Sequence, residues 1–195
     1  MKLFTGFSVA PLRIATVSGF TATLVGIGLA VKYVFDYSSP DLRFPWTVAA
    51  TWAGQEGSFM LWAFWTAIIG GLVAWKAGKW ERRIMPLYIS VITFLTAILA
   101  WLKPFEIMAR TSLPNYPADL PWPPNFGKGL HPSLQNYWMA IHPPTIFFGF
   151  ASLAVPFCFA LAAMHWRDYG AIREDGKGGW AGHVIPWVLL TVATL

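Results

Sequence analysis

Long apolar stretches dominate the sequence and set its predicted architecture. Five of them carry no Asp, Glu, Lys or Arg: residues 14–31, 57–75, 84–102, 129–166 and 178–195. A helix rises about 1.5 Å per residue, so about 20 residues cross the hydrocarbon core of a bilayer. We therefore predict an all-α polytopic membrane bundle, with spans near residues 12–35, 58–75, 84–102, 144–164 and 182–195. Two external segments are predicted. Residues 36–57 connect the first span to the second, and residues 103–143 connect the third span to the fourth.

The basic residues favour one orientation of this bundle, because cytoplasmic segments of membrane proteins carry an excess of Lys and Arg. Of the 14 Lys and Arg, nine lie before the first span or in the two loops on the same side. These nine are Lys2, Arg13, Lys76, Lys79, Arg82, Arg83, Arg167, Arg173 and Lys177. The other five are Lys32, Arg43, Lys103, Arg110 and Lys128. The bias predicts a cytoplasmic N-terminus and places both external segments on the opposite face.

Composition excludes several classes of protein. Only 12% of the residues are charged and 56% are hydrophobic, whereas an ordinary soluble domain is about 25% charged. A soluble enzyme and a disordered chain are therefore excluded. The net charge of +5 does not indicate nucleic-acid binding, because the cations are spread between the spans. The lone Cys158 excludes an internal disulfide and a C-x-x-C redox motif.

The two external segments hold the unusual residues of the chain. Trp46, Trp52, Trp122 and Trp138 all fall in or beside them. Tryptophans at this depth form either an aromatic belt at the membrane surface or a flat apolar floor for a planar ligand, and composition does not separate the two. Glu56 begins the second span, where the helix dipole favours a carboxylate, so simple capping is an adequate alternative to a functional role.

His142 is the residue that most resembles a ligand. It precedes Pro143 and Pro144, which restrict the backbone around it and favour a helix start at the second proline. A histidine held among tryptophans at a membrane surface suits axial ligation of haem iron. The alternative is an interfacial histidine that hydrogen-bonds a nearby carbonyl. His165 and His183 lie beside charged loop residues on the other side and are interpreted as interfacial.

Two long motifs carry a family resemblance. Residues 52–62 (WAGQEGSFMLW) closely resemble a signature of the CcmF family of cytochrome c maturation proteins. Residues 127–144 (GKGLHPSLQNYWMAIHPP) resemble a second signature, and residues 113–117 and 155–157 also fit. His131 stands where the family usually has Asn. The resemblance covers roughly residues 14–195 and places the chain in the haem-handling superfamily of CcmF, NrfE and CcsA.

That resemblance implies a function and a location. Its members belong to the cytochrome c haem lyase, which presents haem on the outer face of the bacterial inner membrane for covalent thioether attachment to apocytochrome c. The implied cofactor or substrate is b-type haem. The implied partners are a haem chaperone of CcmE type, apocytochrome c with its CcmH/CcmI-type thiol-handling partners, and membrane lipid. No nucleic acid is implied.

The resemblance also assigns residues, and these assignments are expectations. His142 corresponds to the histidine regarded as an axial haem ligand. Trp52 and Trp138 are candidate haem-facing aromatics. No catalytic acid or base is assigned. The external functional motif comprises Gln55, Glu56, Gln135, Pro143 and Pro144.

The family's tryptophan-rich haem-binding segment and its second external histidine are expected after residue 195. We therefore expect this chain to be the N-terminal part of such a lyase, either a fragment or one product of a split gene, and inactive without the remainder. The alternatives are a non-catalytic haem carrier or exporter of the same pathway, a paralogue dedicated to nitrite reductase, and a purely structural subunit of a respiratory complex.

Overall fold

The computed structural model describes residues 32–120, 122, 124–168, 170 and 179–195, and helices make up most of this part of the chain. The predicted first span lies outside the described residues except for its last four. The described residues form six α-helices in chain order: α1 (Lys32–Tyr37), α2 (Phe44–Ala50), α3 (Gln55–Lys76), α4 (Glu81–Leu102), α5 (Tyr137–Trp166) and α6 (Ala181–Thr194). Short 3-10 helices occupy Gly78–Trp80, Arg110–Ser112 and Pro132–Leu134.

Three of these helical segments are long and apolar enough to cross a membrane: Gln55–Lys76, Gly78–Leu102 and Tyr137–Trp166. The helix α6 is also apolar but only 14 residues long. No β-strand interrupts the part of the chain that the structure describes. The predicted all-α membrane bundle is thereby confirmed.

The long helices alternate in direction, as side-chain contacts along their length show. Trp52 meets Met139 at the start of α5, and Trp62 and Trp65 meet Phe147 and Phe148 further along, so α3 and α5 run parallel. The Tyr88 hydroxyl reaches back to the Thr66 carbonyl, which makes α4 antiparallel to α3.

The sixth helix also runs against α5, because Gly149 lies beside Thr194 whereas Phe159 stacks on His183. The starts of α3 and α5 therefore share one end of the bundle, here called the motif end. The Lys76–Arg83 region and Arg167 share the other, here called the basic end.

The basic end is tied together by Arg83. Its guanidinium donates to the Asp168 carboxylate at 2.9 Å and lies 5.0 Å from the Trp80 ring centroid. Trp80 is only 1% exposed and packs against Phe159. These contacts bring the two predicted cytoplasmic loops to one end of the bundle.

The core between α3 and α4 depends on a close approach at Gly70. A Cβ added at Gly70 would lie 2.7 Å from Cε1 of the buried Tyr88, whereas nothing lies within 4 Å of a Cβ added at the adjacent Gly71. We expect Gly70→Ala to destabilise the bundle by about 1–3 kcal/mol, the usual cost of overpacking. Gly71→Ala is the matched control and should not destabilise it. The measurement is the thermal unfolding temperature of the two variants in detergent. Equal unfolding temperatures would contradict the close packing of Gly70 against Tyr88.

The start of α5 differs from the sequence-based expectation. The helix begins at Tyr137, seven residues before the predicted start at residue 144, and runs through His142, Pro143 and Pro144. The second segment predicted to be external therefore ends in helix rather than in a loop. The contact that permits helix across Pro143 belongs to the site described next.

Candidate functional site

The second motif is anchored on α1. The Lys128 backbone N–H donates to the Phe35 carbonyl at 2.8 Å, and Gly129 N–H donates to the Ser38 carbonyl at 3.2 Å. Gly129 has φ of +75°, a conformation that favours glycine. The Lys128 ammonium also pairs with Asp36 at 2.6 Å. The residues just before α5 are thus held in a fixed position relative to α1.

The polar residues before α5 stabilise the turn that leads into it, and one of them caps the helix. His131 caps the 3-10 turn through its Nδ1, which lies 2.7 Å from the Ser133 hydroxyl. The Gln135 side chain donates to the Leu130 carbonyl at 2.8 Å. Asn136 is the N-cap of α5, and its side chain accepts from Met139 N–H at 3.0 Å. Gln135 therefore has a structural contact, and His131 uses one ring nitrogen locally.

Trp52 joins the two motifs at the point where α5 lacks a hydrogen bond. In a regular helix the N–H of residue 143 would donate to the Met139 carbonyl, but Pro143 has no N–H. The Trp52 indole Nε1–H donates to that carbonyl instead, at 2.8 Å. Leaving such a carbonyl unpaired would cost about 1–3 kcal/mol. This contact accounts for the continuation of the helix across Pro143.

The turn that carries Trp52 is itself held by Tyr33. The Tyr33 hydroxyl accepts from Gly54 N–H at 2.9 Å and lies 3.2 Å from the Ala50 carbonyl, to which it donates. A Cβ at Gly57 would overlap both the Thr51 carbonyl oxygen and the Tyr33 hydroxyl. The first motif therefore needs a glycine at residue 57 so that Tyr33 and the residue 50–54 turn can close on α3.

Gln55 and Glu56 form the first turn of α3, at the motif end. Gln55 is exposed and Glu56 is partly buried. The ring of Tyr37 lies against Gly54. Burial and, next, the nearby Glu56 carboxylate raise the pKa of the Tyr37 phenol above its ordinary value. Glu56 thus contributes negative charge beside the turn that positions Trp52.

One face at the start of α5 is left open. Trp138 is 70% exposed and His142 is also exposed. The two residues are four apart on α5, so their side chains lie on the same side of the helix, one turn from each other. Among the described residues the His142 imidazole has no hydrogen-bond partner. Pro143 and Pro144 are partly buried by contrast.

A polar cavity lies beside this helix start. It has a volume of about 610 Å³, and its lining includes Arg43, Trp46, Lys128 and Gln135. Trp122 lies elsewhere in the external segment, 5.7 Å from the Tyr116 ring and 5.5 Å from the Arg110 guanidinium. The four tryptophans singled out in the sequence therefore occupy four different environments.

Comparison with known proteins places this arrangement in a family. A family model described as cytochrome c assembly protein matches residues 52–191, so it begins at Trp52 and includes all of α3, α4 and α5. The chain belongs to the cytochrome c assembly protein family. The Trp52–Met139 contact therefore joins the first matched residue to the helix start that carries His142, within one family domain.

Named relatives agree with this family assignment. CcmF of Escherichia coli K12, a cytochrome c-type biogenesis protein, is 31% identical over 167 residues, covering 83% of this chain and 24% of the relative. The biogenesis protein ccl1 of Rhodobacter capsulatus is 27% identical over 177 residues, covering 88% of this chain and 24% of the relative. NrfE of Haemophilus influenzae is 27% identical over 186 residues, with coverage of 88% and 27%. The chain spans about a quarter of the length of these curated relatives. No solved structure matches it.

The sequence did not reveal two of the residues that build this site. Tyr33 lies at the end of the predicted first span, and nothing in its local sequence indicates that its hydroxyl binds the turn before α3. The Met139 carbonyl had a usable signal, since a proline four residues later always leaves a helical carbonyl without its usual donor. Which side chain would supply that donor could not be read from the sequence.

Proposed function

We propose that this chain is part of a cytochrome c haem lyase and that His142 binds the iron of the haem substrate at the motif end. The observation that carries the proposal is the open face of α5, where exposed Trp138 and His142 lie one helical turn apart. Membership of the cytochrome c assembly protein family supports it. Its relatives are named as cytochrome c-type biogenesis proteins.

The donor set fits a haem. A neutral imidazole nitrogen is a common axial ligand of haem iron, and His142 has its ring nitrogens free of described partners. The Trp138 indole offers a planar apolar surface one turn away. Haem has carboxylate groups at one edge, and Arg43 in the lining of the adjacent cavity is a cation that can pair with them. Asp41 also lines this cavity, and Lys128 there is already paired with Asp36. Gln55 and Glu56 stand at the start of α3 on the same end of the bundle.

The chemistry proposed for the full protein is thioether formation on haem held in this way. Each cysteine thiol of the apocytochrome adds across one haem vinyl group. A C–S bond and a C–H bond form while the S–H bond and the vinyl π bond break, so the addition itself consumes no oxidant or reductant. The contribution of this chain is to hold and orient the haem, and orientation alone lowers a barrier by several kcal/mol. The family resemblance implies that the second axial ligand is a histidine outside this chain.

We place the motif end on the outer face of the bacterial inner membrane, with the N-terminus in the cytoplasm. The support is that the Lys76–Arg83 region and Arg167 lie at the opposite end of the bundle, where Arg83 pairs with Asp168. A haem chaperone of CcmE type would then deliver haem to the motif end, and apocytochrome c with CcmH/CcmI-type partners would approach from the same side.

The experiment that tests this function measures haem in the full-length membrane complex purified from its own host. We expect His142→Ala to lose most of the haem detected by pyridine haemochrome. His131→Ala is the matched control, because His131 is also exposed at the motif end but binds Ser133 through Nδ1. Unchanged haem content and unchanged cytochrome c maturation in His142→Ala would sink the proposal.

The same preparation separates the alternatives. A non-catalytic haem carrier would bind haem through His142 but would be dispensable for thioether formation in a reconstituted assay. CcmF and NrfE relatives match at similar identity, 31% and 27%, so similarity does not choose between a general lyase and a paralogue dedicated to nitrite reductase. The cytochrome that fails to mature in the His142→Ala strain would identify the dedicated form.

A further inference from the structure

We propose that Trp52 is a positioning residue for His142, not a haem-facing residue, and that it acts by replacing the backbone donor that Pro143 lacks. The inference rests on the proposed function, since it concerns the same histidine. It assigns to Trp52 a role different from the haem-facing one that the sequence suggested.

The geometry of α5 around His142 depends on a hydrogen bond from outside the helix. Pro143 is the seventh residue of the helix, and its ring crowds the carbonyl of the residue four before it, which kinks a helix. That carbonyl belongs to Met139 and accepts from Trp52 Nε1 at 2.8 Å, across 87 positions of sequence. His142 lies inside the turn whose two ends, Met139 and Pro143, this contact controls. The indole N–H therefore holds the part of α5 in which Pro143 interrupts the helical hydrogen bonds.

Trp52 is held in place by its neighbours. Its own carbonyl accepts from the Ser58 hydroxyl at 3.1 Å. The Tyr33 hydroxyl binds Gly54 N–H at 2.9 Å, two residues further on. Trp52 is therefore held by α3 on one side and by α1 on the other. Because the Trp52 N–H donor is held in place, it fixes the direction of α5 relative to α3. It thereby also fixes the direction in which the His142 side chain projects from the helix.

The Trp52 side chain is less available to a ligand than the Trp138 side chain. Its side chain is partly buried and its only polar atom is already bonded. Trp138 is the exposed ring on the His142 face. The two tryptophans therefore have different roles. Trp138 offers an exposed ring to a ligand, and Trp52 holds in place the helix that carries Trp138 and His142.

The test is a double-mutant cycle in the full-length membrane complex. Trp52→Phe keeps an aromatic ring and removes the N–H donor. Pro143→Ala restores a backbone N–H that can bond the Met139 carbonyl within the helix. In the native background we expect Trp52→Phe to weaken haem retention roughly five- to tenfold, the lower end of the range for a carbonyl that loses its donor, because the Met139 carbonyl is only partly buried. We also expect it to perturb the haem absorption bands that report axial ligation. In the Pro143→Ala background, Trp52→Phe should have little further effect.

The control and the opposing outcomes make the test decisive. Trp75→Phe alters a 73% exposed tryptophan at the basic end and should change neither haem retention nor the spectrum. Effects of Trp52→Phe that simply add to those of Pro143→Ala would overturn the proposal. So would a Trp52→Phe variant with a lower thermal midpoint but an unchanged haem spectrum, since the bond would then be structural only. Failure of the proposed function has a separate signature, unchanged haem in His142→Ala.

Discussion

A strain whose only copy of the full-length protein carries His142→Gly should make almost no holocytochrome c, and added imidazole should restore part of it. The glycine removes the proposed iron ligand and leaves a space that free imidazole enters. Loss of an outer-shell partner already costs a metal site roughly 10–100-fold in affinity or activity, so loss of the ligand itself should cost more. Haem staining of c-type cytochromes in membranes measures the result.

Two controls accompany this variant. His131→Gly changes another exposed histidine of the motif end, whose Nδ1 already lies 2.7 Å from the Ser133 hydroxyl, and it should mature cytochromes normally. His142→Ala should lose maturation without rescue if the methyl group blocks entry of imidazole. Full maturation in His142→Gly without imidazole would show that His142 does not bind the haem. If maturation were lost and imidazole did not restore it because the protein had unfolded, a lowered thermal unfolding temperature would show this.

Gly57→Ala is expected to be the most damaging of the glycine-to-alanine substitutions at the motif end of α3. The new methyl group would overlap the Thr51 carbonyl oxygen and the Tyr33 hydroxyl. A backbone carbonyl cannot rotate away as a side chain does, so the cost should reach or exceed the upper part of the roughly 1–3 kcal/mol usual for overpacking. The residue 50–54 turn would move, and Trp52 would lose its contact with Met139.

The measurement for Gly57→Ala combines stability with haem content. Gly71→Ala is the matched control on the same helix, because no atom lies within 4 Å of the position that its new methyl group would take, and alanine favours helix. We expect a lower thermal midpoint and reduced haem only for Gly57→Ala. If both variants unfolded at the same temperature as the native protein, the close packing of Tyr33 on α3 would be wrong.

Much of the fold follows from the sequence because membrane spans have a strong local signal. The charge-free runs that predicted spans at residues 58–75 and 84–102 lie within α3 and α4, and their helices extend only a few residues further. Helix ends were less predictable. The start of α5 is the largest difference, since two prolines favour a boundary at residue 144 and the helix begins at Tyr137.

The sequence singled out the residues of the candidate site, and their membership of a haem site stays a prediction; the contacts that distinguish them could not be predicted. Family resemblance brought out Trp52, Gln55, Glu56, Gln135, Trp138, His142, Pro143 and Pro144. Sequence alone treated Trp52 and Trp138 alike. In the structure one indole N–H is bonded to a carbonyl of α5 and the other ring is exposed. Gln135, interpreted as part of a functional motif, has its amide bonded to Leu130 at the turn before α5.

The sequence by itself determined that the chain is an apolar helical bundle, that its cations collect between particular spans, and that its two motifs belong to one family. These properties follow from composition and from the order of residues along the chain, because hydrophobicity and charge determine which segments enter a bilayer and on which side their loops lie. Tertiary structure decided which backbone carbonyls without a helical donor accept a hydrogen bond, and which side chain donates it. The Met139 carbonyl loses its helical donor because of Pro143 four residues later, and regains one from Trp52, 87 residues earlier. A pairing over that distance depends on α3 and α5 packing side by side, and no local pattern encodes it.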